Sequence, residues 1–263
     1  MNDEQLHFFQ DWFKHHLLTF QESDPVHQHS LDLKEEHTFR VCAVIARIAS
    51  GLRLSENDHR IAVVTALFHD LGRFPQYQKY RTFRDPDSDN HAKLSLWELN
   101  RHHVLHTLDF SERQIISRAI FFHNRLRIPE NQDEQTILHC RLIRDADKVD
   151  ILRVMNEHFQ IEESRQNPVI TLGLGKETLV REEVYRLLFE GRTMSYAKLK
   201  TINELKVLQM SWVFDINFRP TFEILKERND IGKLAATLPD TLLLREALDF
   251  INDYIERRLQ GEQ

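Results

Sequence analysis

The stretch Ile61-Ala-Val-Val-Thr-Ala-Leu-Phe68 carries no charge, so a helix built from it has no polar face and must be covered on most sides by other elements. It stops on His69-Asp70, two ionisable side chains at the last turn of a buried segment, with Gly72 and Pro75 behind them as breakers. Whatever fold encloses this run must therefore satisfy an imidazole and a carboxylate in its interior. Gly and Pro number only seven each in 263 residues, and the long stretches of Leu, Glu, Arg, Ala and Ile keep a period near 3.6. The fold class expected is all-α.

Helical periodicity predicts helices over 4–19, 31–51 (closed by Gly51), 56–71, 90–103, 111–124 (capped by Ser111) and 133–159. Residues 74–90 show no period and read as a long loop, a setting in which functional residues are common. A polar run from 161 to Pro168 marks a boundary, and 169–175 is the only stretch with strand character. Helical segments at 179–189, 196–215, 218–228 and 241–259 follow. This divides the chain into a core, 1–160, and a C-terminal helical extension, 161–263, expected to pack on the core as one domain. Leu205, Leu208, Trp212 and Phe222 suit either a core or the face of a homodimer.

A net charge of −6 with basic and acidic residues interspersed argues against duplex nucleic acid as the main partner and leaves room for a small anionic ligand. The only cysteines, Cys42 and Cys140, lie in helix-like runs and not in a spaced framework, which fits a reducing cytoplasm. The first residues lack the basic and apolar regions of a signal peptide, and no apolar run approaches the roughly 20 residues of a membrane span. A soluble cytoplasmic protein is expected.

Three further ionisable residues interrupt apolar stripes. His37 shares a helix face with Val41, Val44 and Ile48; Asp147 lies between Ile143 and Ile151; His123 follows Ile116, Ala119 and Ile120 on its face. His91 stands in the first turn of its helix. Any one of these histidines taken alone reads as a core residue satisfied by a hydrogen bond. A buried carboxylate such as Asp147, however, needs a cation from a metal or a basic side chain, and the residues taken together ask for a metal. Imidazole with carboxylate suits manganese, iron, cobalt, nickel or zinc better than calcium.

The motifs Glu36-His37-Thr-Phe-Arg-Val, Ala66-Leu-Phe-His69-Asp70-Leu-Gly-Arg73 and Arg144-Asp145-Ala-Asp147-Lys148-Val-Asp150 resemble the H…HD…D pattern of the HD-domain superfamily of metal-dependent phosphohydrolases, over roughly the first 155 residues. The resemblance implies an HD-domain helical bundle with one metal held by His37, His69, Asp70 and Asp147. Asn90-His91-Ala-Lys-Leu-Ser and Phe121-Phe-His123-Asn124 resemble the positions that supply a second ion in many members, with Asn124 where some phosphodiesterases carry a second histidine. One or two divalent transition ions, manganese or iron first, are expected as cofactors. Asp70 would bridge them, and a metal-activated hydroxide would attack a small phosphoester such as a nucleotide.

Arg73, just past the His-Asp pair, is the leading phosphate contact and is counted with Asp70 as catalytic. Lys79, Arg81 and Arg84 alternate with Tyr77, Tyr80 and Phe83 in the loop, a pattern suited to gripping phosphate while stacking on a base. Asn124 and Lys148 complete the expected substrate-binding set. Two other readings stay open: a di-iron oxygenase using the same six ligands, and a non-catalytic helical module that binds a nucleotide or a protein partner.

Overall fold

Capping begins at the second residue. Asn2 accepts a hydrogen bond from the Gln5 amide and Gln5 returns one to the Asn2 amide, a reciprocal cap that starts α1 (Asp3–Leu17). The structure, a computed structural model, describes residues 1–161, 170–171, 173–192 and 196–261. Among them the chain is all-α, the single β-type pairing being an isolated parallel bridge between Gly175 and Thr201. It divides into two units, Met1–Asp150 and Ile151–Gln263.

In the first unit α2 (Pro25–Gly51) begins six residues before the predicted start. Asp24 caps it through the Val26 amide, and Pro25 occupies the first turn, where its missing N–H costs nothing. α3 (Glu56–Phe68), capped by Ser55, is the apolar run, and every residue from Ile61 to Phe68 is buried. It packs against α2, α1 and α6 (Phe110–Phe122), which explains why it could dispense with a polar face. Phe9 and Phe13 of α1 meet Phe68 edge-on at ring distances of 5.9 and 6.3 Å. The predicted loop over 74–90 contains a helix, α4 (Arg73–Tyr80), with Pro75 in its first turn and Arg81 ending it in the left-handed conformation at φ 55°. Two turns are too short for a periodic signal to register. Asn90 caps α5 (His91–Arg101); α6 starts after Asp109, two residues earlier than a Ser111 cap would place it; α7 runs from Glu134 to Gln160.

Gly72 joins α3 to α4 where α5 comes closest. A Cβ there would lie 2.1 Å from the His91 carbonyl oxygen and 2.5 Å from the Ser95 nitrogen, so no other residue fits. The Gly72 amide donates to Ser95 Oγ at 2.7 Å, and that hydroxyl donates to the His69 carbonyl at 3.0 Å. One serine thus ties the end of α3 to α5.

The second unit holds α8 (Glu182–Phe189), α9 (Ile202–Met210), α10 (Arg219–Arg228), α11 (Asp230–Ala235) and α12 (Leu242–Gln260). α12 packs on α8 and α10, and α9 on α8 and α11. Leu205, Leu208, Trp212 and Phe222 are all buried within this unit. Of the strand predicted over 169–175, positions 169 and 172 lie outside the described residues; Gly175 pairs with Lys200 and Ile202 across the bridge. Among the described residues no helix is long and apolar enough to cross a membrane.

Lys206 of α9 is buried, with its ammonium 3.9 Å from the Phe159 ring centre and donating to the Thr237 carbonyl at 3.1 Å. Burial outweighs both contacts and pushes its pKa down to about 8. An unfolded-chain lysine titrates near ~10.4, so between these values the unfolded state binds the extra proton and stability rises with pH. Thermal melting of Lys206→Met should therefore exceed the wild type at pH 8, with the gap narrowing toward pH 10; a pH-independent gap would contradict the assignment.

Candidate metal centre

Five helical segments of the first unit deliver six ligand-type side chains to one point. His37 sits in the interior of α2, His69 and Asp70 immediately past α3, His91 at the first position of α5, His123 immediately past α6, and Asp147 on α7. His37, His69, Asp70, His91 and His123 are buried.

Asp70 lies at the middle. Its Oδ2 faces His37 Nε2 at 3.7 Å and His69 Nε2 at 3.9 Å, while its Oδ1 faces His91 Nε2 at 3.4 Å and His123 Nε2 at 3.9 Å. Asp147 Oδ1 closes the first group at 3.2 Å from His37 Nε2 and 3.7 Å from His69 Nε2. Two clusters result, His37-His69-Asp70 and Asp70-His91-His123, each able to hold a metal ion and sharing one carboxylate.

The tautomers follow from what lies behind each ring. His69 Nδ1 is 2.6 Å from the Ala66 carbonyl and His123 Nδ1 is 2.7 Å from the Ile120 carbonyl; both acceptors require the proton on Nδ1. Asp150 holds His37 Nδ1 at 2.7 Å, and Asp85 holds His91 Nδ1 at 2.8 Å. These backing groups fix the rings as second-layer partners of metal ligands do. All four Nε2 atoms then point bare lone pairs inward, toward one another and toward two carboxylates. His91 Nε2 and His123 Nε2 stand only 3.0 Å apart, and His37 Nε2 and His69 Nε2 have no hydrogen-bond partner.

Acceptors facing acceptors in a dry site repel unless cations lie among them. Spacings of 3.0–3.4 Å are also those of neighbouring ligand atoms on an ion with bonds of about 2.1 Å. The donor set fits divalent transition metals, and with nitrogen and carboxylate oxygen alone it disfavours calcium.

The electrostatics agree. Burial opposes the charge on Asp70, yet Lys34 Nζ at 2.8 Å from Oδ2 and Arg73 Nε at 3.3 Å from Oδ1 hold its carboxyl well below the usual range. Asp147 is also held low, burial being outweighed by the His37 and His69 rings that face its carboxylate. Burial, reinforced by His91 and His69, drives His123 down to about 3, keeping it a neutral ligand. For His37, burial and Lys34 act downward, but the neighbouring carboxylates of Asp147 and Asp150 prevail and raise its pKa. That rise is the pull of carboxylates for a cation.

Arg73 stands beside Asp70, as its position in the sequence suggested, but most of its guanidinium is already engaged. Nη1 donates to Gln76 at 3.1 Å, to the Phe83 carbonyl at 2.5 Å and to Asp85 at 3.1 Å. Nη2 makes no hydrogen bond among the described residues. Lys79, Arg81 and Arg84 are not brought to the centre: Lys79 pairs with Asp89, Arg81 with Glu22 and Arg84 with Asp87 at the surface. Tyr77 is buried, donating to Ser30, and Phe83 packs against its ring at 4.8 Å. Asn124 donates to Asp85 Oδ2 at 3.2 Å, and so supports the partner of His91. Lys148 reaches the Arg144 carbonyl at 3.5 Å.

Sequence reasoning missed Lys34, Asp85 and Asp150 as parts of the centre. Lys34 lies three residues before His37, and Asp150 three after Asp147, on the same helix faces, so both were within reach of a face argument. Asp85 lies in an irregular stretch and left no such signal. Burial tends to protonate it, but the His91 hydrogen bond and Arg73 bring its pKa down to about 2, so it faces His91 as a carboxylate.

Among comparisons with known proteins, the family profile of the HD domain matches residues 35–152. No curated protein and no solved structure matches the chain.

Proposed function

Since the chain belongs through residues 35–152 to the HD-domain superfamily, whose members are largely metal-dependent hydrolases, we propose that it hydrolyses a small phosphoester, a nucleotide being the narrower class. One observation carries the reading: four imidazole lone pairs and two ionised carboxylates converge with Asp70 shared between two clusters. His37, His69, Asp70 and Asp147 would hold one ion, and Asp70, His91 and His123 a second. Bound there, divalent ions supply water activation near neutral pH and neutralise phosphate oxygens.

The chain's own residues do the rest. Asp150, Asp85 and the carbonyls of Ala66 and Ile120 keep the protons on the outer nitrogens, so each imidazole stays a donor of its inner lone pair. Lys34 and the unshared Nη2 of Arg73 are the cations nearest Asp70 and take phosphate oxygens. Arg73 also braces Asp85 and the chain at Phe83, which keeps the 81–90 segment against the centre.

Incubation of the manganese- or cobalt-loaded protein with phosphate monoesters, diesters and nucleotides should release phosphate or a phosphorylated product. Absence of release across the panel would reject the reading. Lys34→Met should raise KM for the best substrate by roughly 10–100-fold, the loss of one charge-assisted hydrogen bond, with metal content unchanged. Arg73→Ala should raise KM and also lower metal content, because Asp85 loses its anchor. Steady-state kinetics with elemental analysis distinguishes the two roles; equal KM values in wild type and Lys34→Met would remove Lys34 from the site.

A further inference from the structure

A second group of ligand-type side chains lies apart from the centre, between α1 and α5. His16 Nε2 is 3.2 Å from Glu98 Oε2, and His102 Nε2 is 3.4 Å from the same oxygen. The three ligand atoms all lie within 4.8 Å of one another. His16 and Glu98 have only 9 % and 5 % of their side chains exposed, whereas His102, at 38 %, opens the group to solvent.

His16 Nε2 is buried and aimed into this group without a hydrogen-bond partner. Its ring cannot easily turn away, being stacked on Trp12 at 4.5 Å and held edge-on by Phe20 at 5.2 Å. For a tetrahedral zinc site with bonds of about 2.0–2.1 Å, neighbouring ligand atoms stand about 3.3 Å apart. Both spacings to Glu98 match that edge. His16 lies outside the residues that the HD-domain profile matches, so half of the imidazole pair comes from this chain's own N-terminal helix.

We propose that His16, Glu98 and His102 form a zinc-type divalent cation site, with a fourth position left to solvent, that staples α1 to α5. The ion relieves the orphaned nitrogen and offsets the buried carboxylate, and it joins α1 to the helix whose first residue is His91.

The test counts zinc per chain after loading and desalting, and follows thermal melting against added zinc. His102→Gln changes a side chain that is open to solvent; Glu98→Gln removes the shared carboxylate with its volume kept. Each should lose one zinc equivalent relative to the wild type, weaken binding at that site by at least about tenfold and lose the matching part of the zinc-dependent rise in Tm. Retention of wild-type zinc content and melting response by both variants would overturn the site and leave an ordinary His-Glu ion pair.

Discussion

Asp70→Asn is expected to abolish hydrolysis, by roughly 10³-fold or more, while leaving the helical content of the chain in place. The size follows from what Asp70 does at once: it offers one oxygen to each histidine pair and is the carboxylate that both clusters share. An amide of equal volume keeps the packing but removes the charge on which the cations depend. Several kcal/mol of charge stabilisation are at stake, and each ~1.4 kcal/mol is a factor of ten in rate. The same variant should lose the rise in Tm that manganese gives the wild type, since an ion that no longer binds the folded state no longer stabilises it. Circular dichroism would report the fold, melting curves the metal response and a phosphate assay the rate. Wild-type turnover in Asp70→Asn would refute the assigned role.

The second large effect is expected at a residue that touches no ligand. Gly72→Ala places a methyl group 2.1 Å from the carbonyl of His91 and 2.5 Å from the Ser95 amide, both backbone atoms of α5. Neither can yield as a flexible side chain would, so α5 must move away from the α3–α4 junction. Overpacking of this kind costs about 3 kcal/mol or more, equivalent to a fall in Tm of roughly 6–12 °C for a unit of this size. Because His91 opens α5, the displacement also draws its Nε2 away from Asp70 and His123. Melting should therefore fall together with metal content, while Ser95→Ala, which removes only the hydroxyl tie between Gly72 and His69, should lower Tm by less. Unchanged melting and metal content in Gly72→Ala would show that α5 is free to shift.

How much of this was legible in the sequence depended on whether a residue sat on a periodic element. His37, His123 and Asp147 stood out because each replaces an apolar residue on a helical stripe, and the structure brings all three to the same place as His69, Asp70 and His91. α4 was missed because two turns beginning with a glycine and a proline resemble a loop on any pattern reading. The basic residues Lys79, Arg81 and Arg84 were drawn to the site by their alternation with aromatics. Alternation says nothing about which surface acid lies opposite, and Asp89, Glu22 and Asp87 take them. Asp85, which orients His91, was invisible for the converse reason: its role comes from a contact with a ring six residues on, across an irregular stretch that carries no periodic pattern. The parts that periodicity specifies were readable, and the parts set by tertiary pairing were not.

Phosphate release and oxygen consumption measured side by side on iron- and manganese-loaded protein, with the same panel of phosphate esters, separate hydrolysis from oxygenation. Phosphate or a phosphorylated product should appear without oxygen uptake, and its release should cease when the metal is chelated. Oxygen consumed without phosphate release would contradict hydrolysis and assign the six side chains to a di-iron oxygenase.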